Sequence, residues 1–162
     1  MRQMDLEQTM MEHEDRILPL CFLILRDRAA AEDAAQETFL RAWQSWERFD
    51  GRAAVKTWLT SIAVNVCRHQ LRSPWRRRRV DWEALGDLAA PEQHAEDGTV
   101  LRAVLSLPKK YREIVVLHYY QGFSTPEIAR MLRLPTGTVS VRLMRARERL
   151  KPMLKEWYYE EA

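Results

Sequence analysis

Residues 134 to 151 read LPTGTVSVRLMRARERLK, with five Arg or Lys in the last ten positions laid over a regular beat of Val and Leu. Guanidinium groups at helical spacing are ligands for phosphates and guanine edges, so the chemistry on offer is that of a polyanion reader. A basic amphipathic helix also suits a membrane surface or an acidic partner. On a wheel of about 100° per residue, Val139, Leu143, Ala146 and Leu150 share one narrow arc, the side that must pack. Opposite stand Gly137, Val141, Met144 and Glu148, with Ser140 and Arg145 beside them and Arg142, Arg147 and Arg149 on the flanks. Val141 and Met144 are therefore apolar groups on the open side of a basic helix, where they can meet thymine methyls. The plainer alternative is a solvated basic face carrying scattered exposed hydrophobes.

Other chemistry has little to stand on. Cys21 and Cys67 lie in apolar helical patterns without a second ligand at metal spacing, and read as reduced core thiols. His13, His69, His94 and His118 show no ligand spacing, and none of the five glycines forms a phosphate-cradling loop. Neither an enzyme nor a cofactor-binding protein is expected. The longest apolar run, Ile17 to Leu25, is far shorter than the roughly 20 residues of a membrane span and contains Pro19. The acidic N-terminus lacks a signal-peptide apolar region, which points to a reducing cytoplasm.

The net charge of +3 over 162 residues conceals a division along the chain. Residues 1–72 carry ten Lys/Arg and eleven Asp/Glu, and residues 73–98 carry four and six. Residues 99–162 carry twelve and six, a net +6 that marks the C-terminal part as the polyanion-facing one.

Apolar residues recur at three and four almost throughout, so the expected fold is all-α, in two small helical domains joined by a flexible linker. The first helix is expected over about 6–25, bent or broken at Pro19. The second, over about 30–48, is expected to bury Ala35, Phe39, Ala42, Trp43 and Trp46, with Asp33, Gln36, Glu37 and Arg41 facing away. Asp50-Gly51 is a turn signal. A third helix, about 55–72, sends Leu59, Ile62, Ala63, Val66 and Leu71 to the core and leaves Lys56, Asn65, Arg68, His69 and Arg72 outside. Residues 73–98 lose the pattern and read as a linker, and its four arginines between Trp75 and Trp82 are either solvated charge or a nucleic-acid contact.

In the second domain a short helix with Leu101, Val104, Leu105 and Leu107 stops at Pro108. A longer one follows to about Gln121, with Gly122 as its C-cap. Ser124-Thr125-Pro126-Glu127 has capping-box spacing and opens a short helix with Ile128, Ala129 and Leu132. After a turn at Arg133-Leu134-Pro135, Thr136 is expected to cap the basic helix, which continues past Pro152 with a kink or break. Two short helices joined by a tight turn, the second basic, have the layout of a helix-turn-helix. That layout favours DNA over a membrane, because the apolar face of the basic helix is needed to complete the core.

The segments AEDAAQETFLRAW and RFDGRAAVKTWLTSIAVNVCRHQLR, followed by LPKKYREIVVLHYYQGFSTPEIARMLRLPTGTVSVRLMRARERL, resemble the extracytoplasmic-function (ECF) sigma factors of bacterial RNA polymerase. The resemblance implies a sigma domain 2 over residues 1–72, the linker at 73–98 and a sigma domain 4 over 99–162. It implies a factor that binds core polymerase and directs promoter-specific initiation, its partners being the β′ clamp helices, the β flap, promoter DNA and an anti-sigma protein. Asp33, Gln36, Glu37 and Arg41 would dock on the clamp helices. Arg52, Lys56, Asn65, Arg68, His69 and Arg72, with the loop from Phe49 to Val55, would recognise the minus-10 element and hold an unstacked base. Trp58, spaced with Ile62, is expected to pack in the core rather than to melt DNA. Thr136, Gly137, Thr138, Ser140, Val141, Arg142, Met144, Arg145 and Arg149 would read the minus-35 element. Ser140, Val141 and Met144 depart from common family residues, which bears on the upstream sequence preferred. The chain ends soon after this block, and family precedent then implies control by a separate anti-sigma protein, which would hold the chain near the membrane without insertion. The alternative is a helix-turn-helix regulator that binds duplex DNA without polymerase.

Overall fold

The computed structural model describes residues 2–51, 54–72 and 98–154, with side chains from Leu6 onward. Arg52, the arginine run with Trp75 and Trp82, and the segment towards Trp157 lie outside the described residues. The chain divides into two compact units, residues 1–84 and 85–162. All regular structure among the described residues is helical.

The first unit holds α1 (Arg2–Leu25), α2 (Arg28–Ser45), a 3-10 turn (Trp46–Arg48) and α3 (Val55–Leu71), and each of the three helices packs on the other two. Of the bend or break expected at Pro19, a break does not occur: α1 runs through Pro19 as one helix. Ile17, Leu20, Cys21 and Phe22 around that proline are fully or almost fully buried, and their packing offsets the backbone bond that proline removes. From Leu20 to Leu25 every residue is buried, because the end of α1 is covered by both other helices. Arg26 then adopts a left-handed conformation (φ 61°) and its N–H donates to the Phe22 carbonyl at 2.7 Å. Asp27 caps α2 by accepting from the Ala30 N–H at 3.0 Å, which is why α2 starts before the expected Ala30.

The buried side of α2 matches the expected one at Ala35 and Ala42 but not at its aromatic rings. It comprises Ala30, Ala31, Ala34, Ala35, Thr38 and Ala42. Phe39 and Trp46 are half-buried, and Trp43, expected in the core, is 48% exposed. The packed arc is turned by about 110° from the aromatic stripe. Alanines let the backbones of α1 and α3 approach closely, whereas a row of large rings would hold them apart. In α3, Leu59, Thr60, Ala63, Val64, Val66 and Cys67 are buried, while the expected Ile62 and Leu71 are only half-buried. Arg16 ties α1 to α3, its guanidinium donating to Thr60 Oγ1 (2.7 Å) and to the Lys56 carbonyl (3.4 Å). Both cysteines are free thiols in this core.

The second unit contains α4 (Gly98–Ser106), α5 (Lys109–Val115), which passes into a single π turn (Val116–Tyr120), α6 (Thr125–Leu132) and α7 (Thr136–Met153). Pro108 separates α4 from α5, and the buried Arg112 donates to the Leu107 carbonyl at 2.9 Å, closing that corner. The wider π turn shifts the phase of the residues after it. Gly122, at φ +78°, then turns the chain into α6. The capping box forms as expected: Ser124 Oγ accepts from the Glu127 N–H at 3.3 Å, and Glu127 Oε1 accepts from the Ser124 N–H at 3.0 Å. Arg133 ends α6 in the left-handed region (φ 56°), and the Leu134 N–H bonds back to the Ala129 carbonyl at 2.9 Å. Thr136 does not cap α7. Pro135 occupies the cap position and Thr136 is already the first helical residue, with no side-chain cap bond. Pro152 falls in the last turn, and α7 ends at Met153.

Candidate nucleic-acid interface

α7 packs on α4, α5 and α6 through the arc drawn from the wheel. Val139, Leu143 and Ala146 are buried and Leu150 is half-buried. The opposite side is open, with Val141 41% and Met144 51% exposed and Gly137, Ser140, Arg145 and Glu148 also exposed. Thr136 is exposed at the helix start, and Thr138 and Arg142 are half-buried on one flank. The nine residues expected at the upstream element thus fall on the outer side and flanks of one helix.

Gly137 has no internal reason to be glycine. A Cβ there would meet nothing within 4 Å, and its φ is not in the left-handed region. Glycine costs up to about 1 kcal/mol relative to alanine in a helix, less in the first turn where Gly137 stands, and its use fits close approach by a partner to the entry of α7. Gly137→Ala is expected to raise thermal stability by less than about 1 kcal/mol while weakening duplex binding. Melting curves beside binding isotherms check this, and a variant that is more stable and binds as well removes the argument.

Arg147 and Arg149 of α7 are held against tyrosine rings. Arg147 Nε donates to the Tyr119 hydroxyl, with its guanidinium 5.6 Å from that ring centroid. Arg149 lies 4.9 Å over the Tyr111 ring, and Lys110 Nζ lies 5.1 Å from the same centroid. Burial of Tyr111 disfavours its phenolate, yet Lys110, a side-chain hydrogen bond with Arg145 and the charge of Arg149 outweigh this and draw its pKa below the ordinary tyrosine value. Nothing in the sequence spacing had paired these two tyrosines with the arginines of α7.

In the first unit, Asn65, Arg68 and His69 on α3 and Arg72 at its C-cap recur at three and four, Arg68 half-buried and the rest exposed. Lys56 stands apart. Nine residues earlier, it is about half a turn round the helix from that stripe, and it is half-buried beside the Arg16 and Thr60 bonds to its carbonyl. It lies instead in the first turn of α3, the helix whose Trp58 joins Trp46 and Phe49 in a cluster with centroid distances of 4.7 to 5.7 Å. Trp58 is packed, as its spacing with Ile62 implies, but against these rings and only half-buried.

On α2, Asp33, Gln36 and Arg41 are exposed, and Glu37 is half-buried and ion-paired with Arg41 at 2.9 Å. Leu40 (53% exposed) and Trp43 follow Gln36 at four and seven residues, so the face is a mixed apolar and polar stripe. Sequence reasoning missed both because it placed Trp43 inside and left Leu40 unassigned. The signal available was the run of alanines on the other side.

Residues 9–77 match the family model of sigma-70 region 2, and residues 98–150 that of sigma-70 region 4. The ECF RNA polymerase sigma factor SigW of Bacillus subtilis is 34% identical over 89% of this chain and 86% of its own. The chain belongs to the ECF sigma factors. SigM of Mycobacterium tuberculosis is likewise 34% identical, over 91% of this sigma factor and 76% of the relative. Among solved structures, RpoE of Bartonella quintana in complex with the anti-sigma factor NepR superposes with a TM-score of 0.76 at 25% identity, covering 93% of this chain and 97% of that one. CnrH, solved with the cytosolic domain of CnrY, gives 0.71 at 27% identity, covering 95% and 90%. This sigma factor is a non-enzymatic initiation subunit that binds RNA polymerase and promoter DNA, and it acts in the cytoplasm. Among the described residues, no helix is long and apolar enough to cross a membrane.

Proposed function

We propose that the two units divide promoter reading between them, residues 1–72 acting as sigma domain 2, 73–98 as the linker and 99–162 as sigma domain 4. The outer stripe of α2, with Asp33, Gln36, Glu37 and Arg41 joined by Leu40 and Trp43, docks on the β′ clamp helices. The stripe of Asn65, Arg68, His69 and Arg72 on α3 meets the minus-10 element. Arg52 and Lys56 meet it from the loop side, where the three-ring cluster supports an extruded base. α7 enters the major groove at the minus-35 element with Thr136, Gly137, Thr138, Ser140, Val141, Arg142, Met144, Arg145 and Arg149, and the second unit also engages the β flap. The observation that carries this reading is the open face of α7, where exposed Val141 and Met144 lie between two arginine flanks. An anti-sigma protein controls access to these faces and holds the factor near the membrane. The solved relatives bound to NepR and to a cytosolic domain of CnrY support that regulation.

Reconstituted transcription tests the reading. Purified chain added to core polymerase is expected to direct initiation at a subset of genomic promoters, and Arg145→Ala to relax preference at one upstream position by about 1 to 3 kcal/mol. Equal weakening on every promoter makes Arg145 a phosphate contact. Failure to bind core polymerase at all sinks the proposal.

A further inference from the structure

A helix of α7's size fills a major groove about 12 Å wide, so its two flanks face the phosphates of the two strands. Arg147 and Arg149 are two residues apart and therefore about 200° apart round the helix, one on each flank. Long arginine side chains lose rotamer entropy when they bind, which weakens each contact unless the side chain is already held. Both are held here, by different rings of the same neighbouring segment. The Tyr119 hydroxyl accepts from Arg147 Nε and its ring lies beneath the guanidinium, while the Tyr111 ring supports Arg149. Tyr111 is buried and Tyr119 is exposed, so the first is anchored by the core and the second by the helix that carries it.

We propose that Tyr111 and Tyr119 are positioning residues that hold Arg149 and Arg147 on opposite flanks of α7, pre-set to grip the two phosphate strands of the upstream element. The inference rests on α7 reading duplex DNA. A guanidinium bonded through Nε keeps its terminal N–H groups free in the outward direction, and those are the groups that a phosphate takes. The tyrosines therefore contribute to affinity without touching DNA and without reading sequence.

The test is a double-mutant cycle on holoenzyme made from the full chain and core polymerase. The probe is a duplex fragment that this holoenzyme selects from a pool randomised upstream, titrated across a salt series. Arg147→Ala is expected to weaken binding and to lower the slope of log affinity against log salt by about 1. Tyr119→Leu is expected to weaken binding about three- to tenfold on all upstream sequences, and to have no further effect in the Arg147→Ala background. The same cycle applies to Tyr111 and Arg149. There the cycle starts from Tyr111→Phe, which keeps the ring under Arg149 but removes the hydroxyl bonded to Arg145. Tyr111→Leu is expected to lose about a further three- to tenfold relative to it and nothing further in the Arg149→Ala background, and losses that simply add overturn the Tyr111 part of the inference. The inference is overturned if Tyr119→Leu leaves binding unchanged while Arg147→Ala weakens it, or if the two losses simply add. If Arg147→Ala and Arg145→Ala both leave affinity, salt slope and upstream preference intact, the reading of α7 itself fails, and this inference with it.

Discussion

Trp43→Ala is expected to cost the sigma factor at least about 2 kcal/mol of core-polymerase affinity, roughly thirtyfold in dissociation constant. The expectation comes from where the ring stands. Trp43 is half exposed in a stripe with Gln36 and Leu40, on the side of α2 turned away from the alanines that pack on α1 and α3. A large aromatic at the centre of a mixed apolar and polar patch is the usual anchor of a protein interface, with charged neighbours such as Asp33 and the Glu37–Arg41 pair as its rim. The core of the unit is largely built without this ring, so far-ultraviolet circular dichroism should show native helix content in the variant. Binding of labelled chain to core polymerase is the measurement. A dissociation constant within twofold of the native value would move the docking surface elsewhere.

Leu143→Ala is expected to destabilise the second unit by about 2 to 5 kcal/mol. A unit of its size has about 4 to 12 kcal/mol of stability in all. Leu143 is the middle member of the buried arc of α7 and is 4% exposed, so its loss opens a cavity where α7 meets the helices beneath it. Amide exchange separates the two units: protection in α4 to α7 should collapse while α1 to α3 keep theirs. Uniform loss throughout would mean that the two units do not hold separate cores. Promoter selection should fail under the same conditions, because an unfolded α7 leaves only the first unit to find DNA.

What was legible in the sequence follows from how local each signal is. The capping box at Ser124 and Glu127, the stop at Pro108, the turn at Gly122 and the two faces of α7 depend on residues within one or two helical turns. The amphipathic phase of α7 in particular was legible, because Val139, Leu143, Ala146 and Leu150 fall within one narrow arc of the wheel. The alanine face of α2 was not legible in the same way. Hydrophobicity alone ranks Phe39, Trp43 and Trp46 above alanine, and only the close approach of two other helices makes small residues the better core.

By itself, then, the amino-acid sequence determined that the protein is all-helical, that its C-terminal part is the basic one and that α7 turns Val141 and Met144 outward. It also carried the family membership, which resides in two long segments of residue identities. The tertiary structure decided which side of α2 is covered, that Pro19 is carried inside an unbroken helix, that Lys56 stands apart from the Asn65 stripe, and that Tyr111 and Tyr119 grip the arginines of α7. The physical reason is range. Periodicity and capping are set by neighbours three or four residues away. The tyrosine–arginine pairs join residues 28 and 38 positions apart, which only packing can bring together.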